Sequence, residues 1–133
     1  MSTIRLPLRF EGSKGEKTLM ALFDSGSTYS CIHPDCVKKL ATLEKLRHSK
    51  LLGTASTDTY VQINHATRLD FFIDDSMLSD EFLVVPTLSE EVILGVGTFQ
   101  KWRIKLDFET DSVIVDPKVA KLMLKDLKFK DLR

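Results

Sequence analysis

A run of five apolar residues, Leu19-Met20-Ala21-Leu22-Phe23, stops abruptly at Asp24-Ser25-Gly26-Ser27. A short apolar run bounded by turn residues reads as a strand buried on both faces. The carboxylate of Asp24 is thereby carried to the edge of a core, and the chain must turn there. Gly26 permits close backbone approach, and the hydroxyls of Ser25 and Ser27 can bond backbone or carboxylate. Asp-Ser-Gly is also an ordinary turn tripeptide, so its meaning depends on the rest of the chain.

That chain has 133 residues, one domain's worth, read with boundaries at 1–116 for the main body and 117–133 for a C-terminal helical extension of it. Ile4, Leu6, Leu8 and Phe10 alternate with Arg5, Pro7 and Arg9 as in a strand. Pro7 places that strand at a sheet edge or near a strand end. Glu11–Lys17 reads as a turn segment with two glycines, Gly12 and Gly15, that leads back into the apolar run. Thr28–Ile32, Tyr60–Ile63, Arg68–Ile73, Glu81–Pro86 and Glu90–Gly95 read as further strands. Ile104–Phe108 and Ser112–Val115 read as a hairpin closed by Glu109-Thr110-Asp111. Val37, Leu40, Leu43 and Leu46 recur every three residues and predict a helix from about Asp35 to Leu46. A helical turn is expected over Val96–Trp102, and a closing helix from Pro117 to about Lys128. Lys50–Thr59 is polar and reads as a hairpin tip or loop. Many short strands with regular turns predict an all-β barrel or sandwich.

Charge and cysteine content narrow the function classes. Nineteen Lys+Arg balance nineteen Asp+Glu, so the basic surplus of a nucleic-acid or anionic-membrane binder is missing. The opening residues Met1–Pro7 lack the apolar stretch of a signal peptide, and a cytoplasmic location is expected. Cys31-Ile32-His33-Pro34-Asp35-Cys36 has the residue types of a metal site, but its spacing suits no standard zinc site. No metal or cofactor is expected. No Gly-x-Ser-x-Gly elbow supports a serine nucleophile.

The decisive context lies about seventy residues further on. Leu22-Phe23-Asp24-Ser25-Gly26-Ser27-Thr28 is matched by Val92-Ile93-Leu94-Gly95, an apolar triplet closed by glycine. The pair of motifs, and the order of strands between them, resembles the retropepsin-like (retroviral-type) aspartic proteases in a stand-alone, single-domain version. The resemblance runs from about Ile4 to Val115. It implies an all-β acid-protease barrel, closed or partly open, with one short helix. It also implies a homodimeric aspartic endopeptidase, because a single Asp-Ser-Gly supplies half of a catalytic pair.

On that resemblance Asp24 is the catalytic residue, meeting its counterpart on a two-fold axis. Ser25, Gly26 and Ser27 support it: the Ser25 hydroxyl grips the other subunit, Gly26 offers backbone to substrate, and Ser27 could donate to Asp24. Pro86, Thr87, Leu88 and Ile93 match the segment lining substrate pockets. The Leu52–Val61 hairpin matches the flap, with Gly53, Thr54, Ala55, Ser56 and Thr57 at its tip. Two departures stand out: the tip is polar and holds only one glycine, and Val96-Gly97 follows the second motif where viral enzymes carry an arginine. The implied partners are a second copy of the chain and an extended peptide or unfolded protein, with neither nucleic acid nor membrane. The same fold could also serve as a catalytically weak or inactive dimeric peptide-binding module.

Overall fold

A computed structural model of the chain describes residues 3–54 and 59–118. Strand β1 (Thr3–Gly12) buries Ile4, Leu8 and Phe10, as their alternation dictates, and β2 (Gly15–Asp24) returns antiparallel in a register pairing Gly12 with Gly15. Pro7 faces Met20 on β2. Its missing N–H costs nothing there, because β1 has no second neighbour until Phe10 and Glu11 pair with β5. The apolar run is buried on both faces only at its end, where Leu22 and Phe23 are covered; Met20 is exposed.

Nine strands and two short helices form the described part. After β2 come β3 (Cys31–Ile32), α1 (Pro34–Val37), β4 (Glu44–Gly53), β5 (Tyr60–Ile73) and β6 (Ser76–Val84). Then follow β7 (Val92–Leu94), α2 (Val96–Trp102), β8 (Lys105–Asp107) and β9 (Ser112–Ile114). The main sheet runs β1-β2-β7-β3-β6-β5-β4, and β5 also pairs with β1, so six strands close a barrel and β4 stands outside it on β5. The expected all-β acid-protease barrel is therefore the observed fold. β8 and β9 make the expected separate hairpin.

Closure is driven by one apolar interior. Phe10, Phe71 and Phe82 are fully buried and lie with ring centroids 5.8–5.9 Å apart, two of the three pairs edge-to-face as ring quadrupoles favour. Phe23 stacks on Phe99 of α2 at 6.1 Å. A second, smaller cluster of Cys31, Ile63, Ala66, Leu83 and Val85 takes up Leu46, Leu52 and Leu88. It forms a floor beneath β4.

The helix expected over Asp35–Leu46 is a single turn, Pro34–Val37, after which the chain extends into β4. The threefold spacing served two destinations. Val37 and Leu40 enter the main core, Leu43 is exposed, and Leu46 joins the second cluster. Pairing of Glu44 and Lys45 with Ala66 and His65 captures the following residues as strand. Tyr60–Ile63 and Arg68–Ile73 are one continuous 14-residue strand. Of the expected strand Thr28–Ile32 only Cys31–Ile32 pairs, and the one predicted over Glu81–Pro86 begins earlier, at Ser76, and ends at Val84. The expected closing helix after Pro117 lies outside the described residues apart from its first two positions.

Candidate active site

β2 delivers Asp24 to the end of the barrel, half-buried, and the chain turns at once: the Ser27 N–H donates to the Asp24 carbonyl at 3.1 Å. The Gly26 N–H donates to Asp24 Oδ1 at 2.9 Å. This bond fixes the carboxylate plane, and Oδ2 has no hydrogen-bond partner among the described residues. Ser25 and Gly26 are exposed beside it.

The second motif holds this turn from behind. β7 runs parallel to β2, pairing Leu22 with Ile93 and Phe23 with Leu94, and Gly95 then passes under the turn. A β-carbon at Gly95 would lie 2.6 Å from the carbonyl oxygens of both Ser27 and Tyr29, so only glycine fits without a shift. The first N–H groups of α2 complete the junction: Val96 N–H donates to the Ser27 carbonyl at 2.7 Å and Gly97 N–H to that of Thr28 at 3.2 Å. Helix-start donors that would otherwise lack partners thus fasten the acidic turn to the barrel.

A buried polar relay reinforces the same junction. The Gly95 N–H donates to Ser30 Oγ at 3.0 Å, and Thr98 Oγ1 donates to Asp80 Oδ2 at 2.6 Å. Ser30 and Thr98 hydroxyls meet each other. Each hydroxyl has one proton, so the order is Gly95 N–H to Ser30 to Thr98 to the Asp80 carboxylate. Sequence reading missed Ser30, Thr98 and Asp80, because residues 68 apart at Ser30 and Thr98 carry no local signal.

Asp24, Gly26, Ser27, Tyr29 and Cys31 line a cleft of about 460 Å³ whose opposite wall is Leu51, Leu52, Gly53 and Thr54 of β4 and its end. Where a flap is expected, β4 and β5 pair as a hairpin, Leu52 with Val61 and Gly53 with Tyr60, beside the acidic turn. Ala55, Ser56 and Thr57 lie outside the described residues. Lys50 Nζ sits 5.1 Å from the Tyr29 ring centroid and ties β4 to the chain just beyond the turn.

Other expected site residues are placed differently. The Ser27 hydroxyl donates to the Tyr29 carbonyl at 2.8 Å, not to Asp24, which corrects the role foreseen for it. Leu88 packs with Leu52 on the second cluster, while Pro86 and Thr87 are exposed in the β6–β7 connection. Ile93 is half-buried on β7, paired with Leu22 and Cys31. None of these four is among the residues lining the cleft with Asp24. Cys31 and Cys36 face different clusters, and His33 caps α1 by accepting the Asp35 N–H at Nδ1. Burial pushes the Cys31 thiol up to about 11, leaving it neutral and unreactive at ordinary pH.

A model of the retroviral aspartyl proteases matches residues 16–121. The retroviral protease-like domain of Ddi1 from Leishmania major is similar in structure, with a TM-score of 0.68 at 13% identity over 87% of this chain and 90% of that one. The EIAV protease, solved with the inhibitor HBY-793, gives a TM-score of 0.56 at 16% identity over 80% of this chain and 94% of its own. A comparison of the sequence with curated proteins finds no match. With both motifs inside the matched span and Asp24 facing a cleft under a hairpin, the chain belongs to the retroviral aspartyl protease family.

Proposed function

We propose that the protein is a homodimeric aspartic endopeptidase in which Asp24 from each of two subunits activates a shared water. The carrying observation is the carboxylate itself: Oδ1 is pinned by Gly26, Oδ2 is unpaired among the described residues, and Asp24 lines the cleft whose other wall is Leu51–Thr54. The Ser25 hydroxyl likewise has no partner within the described chain and is exposed. It is available to a second copy related by a two-fold axis, where an isologous contact sets like residues against each other.

The chemistry follows from that pairing. Two carboxylates sharing one site hold one proton between them. The ionised member takes a proton from water as it attacks the peptide carbonyl, and the protonated member donates to the carbonyl oxygen. The barrel holds each carboxylate in place through the Gly95 junction, and Leu51–Thr54 wall the cleft opposite it. Substrate lies extended in the cleft, bound through its backbone.

Cleavage of a proteome-derived peptide library between pH 4 and 7, wild type against Asp24→Asn, tests this reading. Cutting by wild type that is lost in the variant, with a dimer seen at the active concentration, supports it. Binding without cutting assigns the chain to a peptide-binding module instead. Equal cutting by both proteins, or activity from a monomer, refutes the shared pair.

A further inference from the structure

Strand β4 carries Lys45, Arg47, His48 and Lys50 within ten residues and only one carboxylate, Glu44, in a chain of zero net charge. Among the described residues none of these four basic side chains meets a carboxylate, whereas Arg5, Arg9 and Arg68 on other strands pair with Glu90, Glu11 and Asp70. Lys45, Arg47 and His48 are exposed, and Lys50 is half-buried against Tyr29.

Their placement relates them to the cleft. Leu51 and Leu52, next along β4, line it opposite Asp24, and Tyr29 lies within it. Four residues, Leu46–Ser49, stand opposite the single residue Asn64 in a bulge between the Lys45 and Lys50 pairings. Ser49 Oγ anchors this bulge on Asn64 Oδ1 at 2.7 Å and accepts from Gln62 Nε2 at 3.2 Å. Lys50 lines a neighbouring concavity rather than the cleft itself, but it precedes cleft-lining Leu51 and lies over Tyr29, which both concavities share, so the positive charge forms a track that starts beside the cleft and runs back along β4.

Taking the cleft as the peptide site proposed above, we infer that this track selects polypeptide substrates with Asp or Glu residues flanking the cleaved bond. Lys50 meets the acidic side chain nearest the cleft, and Arg47 and Lys45 meet those further out. Unpaired cations give a carboxylate more than already-paired ones do, and complementary charge raises both selectivity and association rate. Lysines on an exposed strand edge also discourage edge pairing between copies, but that role creates no preference among peptides.

The test uses two peptides with one central sequence, flanked by Asp and Glu or by Asn and Gln. Binding to the full-length Asp24→Asn protein is read by fluorescence anisotropy, and cleavage by wild type as KM and kcat. The acidic peptide should bind about fivefold tighter, with KM lowered and kcat unchanged, and the preference should shrink in high salt. Lys50→Glu/Arg47→Glu should reverse the preference, and Lys50→Arg should keep it. Equal affinities, or a preference unchanged in the double variant, overturn the inference. Selective binding without any cleavage would sustain the track while defeating the protease reading. Cleavage without selectivity would do the opposite.

Discussion

Gly95 lies so close to Ser27 that a methyl group on its α-carbon would stand 2.6 Å from the Ser27 carbonyl oxygen. The two motifs of the chain, 68 positions apart at these residues, are thus in van der Waals contact through backbone alone. The acidic turn takes its position from that contact and from the α2 N–H groups that reach its carbonyls.

Gly95→Ala must displace the turn or β7. Overpacking of this kind costs about 1–3 kcal/mol, and the displacement reaches Asp24 through the bonded turn. Chemical denaturation should show a lower midpoint, and activity should fall by more than the loss of folded protein explains. An unchanged midpoint would mean that turn and strand separate freely.

Removing the Ser30 hydroxyl strands the buried Gly95 N–H. Ser30→Ala should lose about 1–3 kcal/mol, the cost of an unsatisfied buried donor. Because Ser30 and Thr98 act in one relay, Ser30→Ala/Thr98→Val should lose less than the sum of the single variants. Additive losses in a double-mutant cycle would show that the relay does not act as a unit.

The Ser27 hydroxyl is committed to the Tyr29 carbonyl. Ser27→Ala should therefore leave the acid limb of the kcat/KM profile where it is in wild type, while lowering stability by about 1 kcal/mol for the lost bond. A pH–rate titration that moves on the acid side would place the hydroxyl on Asp24 after all.

Cys31 gives the fold an alkaline weakness. Burial raises its thiol from 9.0 to about 11 in the folded protein, so the unfolded chain ionises first as pH rises. Its contribution is complete below pH 9 and is lost as pH climbs towards 11, by about 2–3 kcal/mol in total. Melting temperatures of wild type should fall more steeply over that interval than those of Cys31→Ala. Parallel curves would show that the thiolate is accommodated in the second cluster.

Where residues report their own surroundings, the sequence was readable. Ile4, Leu8 and Phe10 alternate because one face of β1 meets the core, and the turn Gly12–Gly15 closes where its glycines stand. Asp24, at the end of an apolar run and matched by Val92–Gly95, marked the candidate site. The helix misread over Asp35–Leu46 failed because Val37 and Leu46 enter different clusters, a division that no local period encodes. Lys50–Gly53 at the end of β4 reads as a polar loop because its strand state comes from pairing with β5, and of β4's side chains Leu46 and Leu52 pack on the second cluster.

The amino-acid sequence by itself determined that a carboxylate ends a buried strand, that a glycine ends a second apolar strand, and that strands predominate. Each follows from side-chain polarity and backbone freedom acting over a few residues. Tertiary structure alone decided that Gly95 meets Ser27, that Ser30 and Thr98 join in a relay to Asp80, that the Ser27 hydroxyl turns away from Asp24, and that basic β4 borders the cleft. Those outcomes depend on register and on which of two apolar clusters a side chain enters. Both are settled by burying the most apolar surface while pairing every backbone group, a condition imposed on the whole barrel at once.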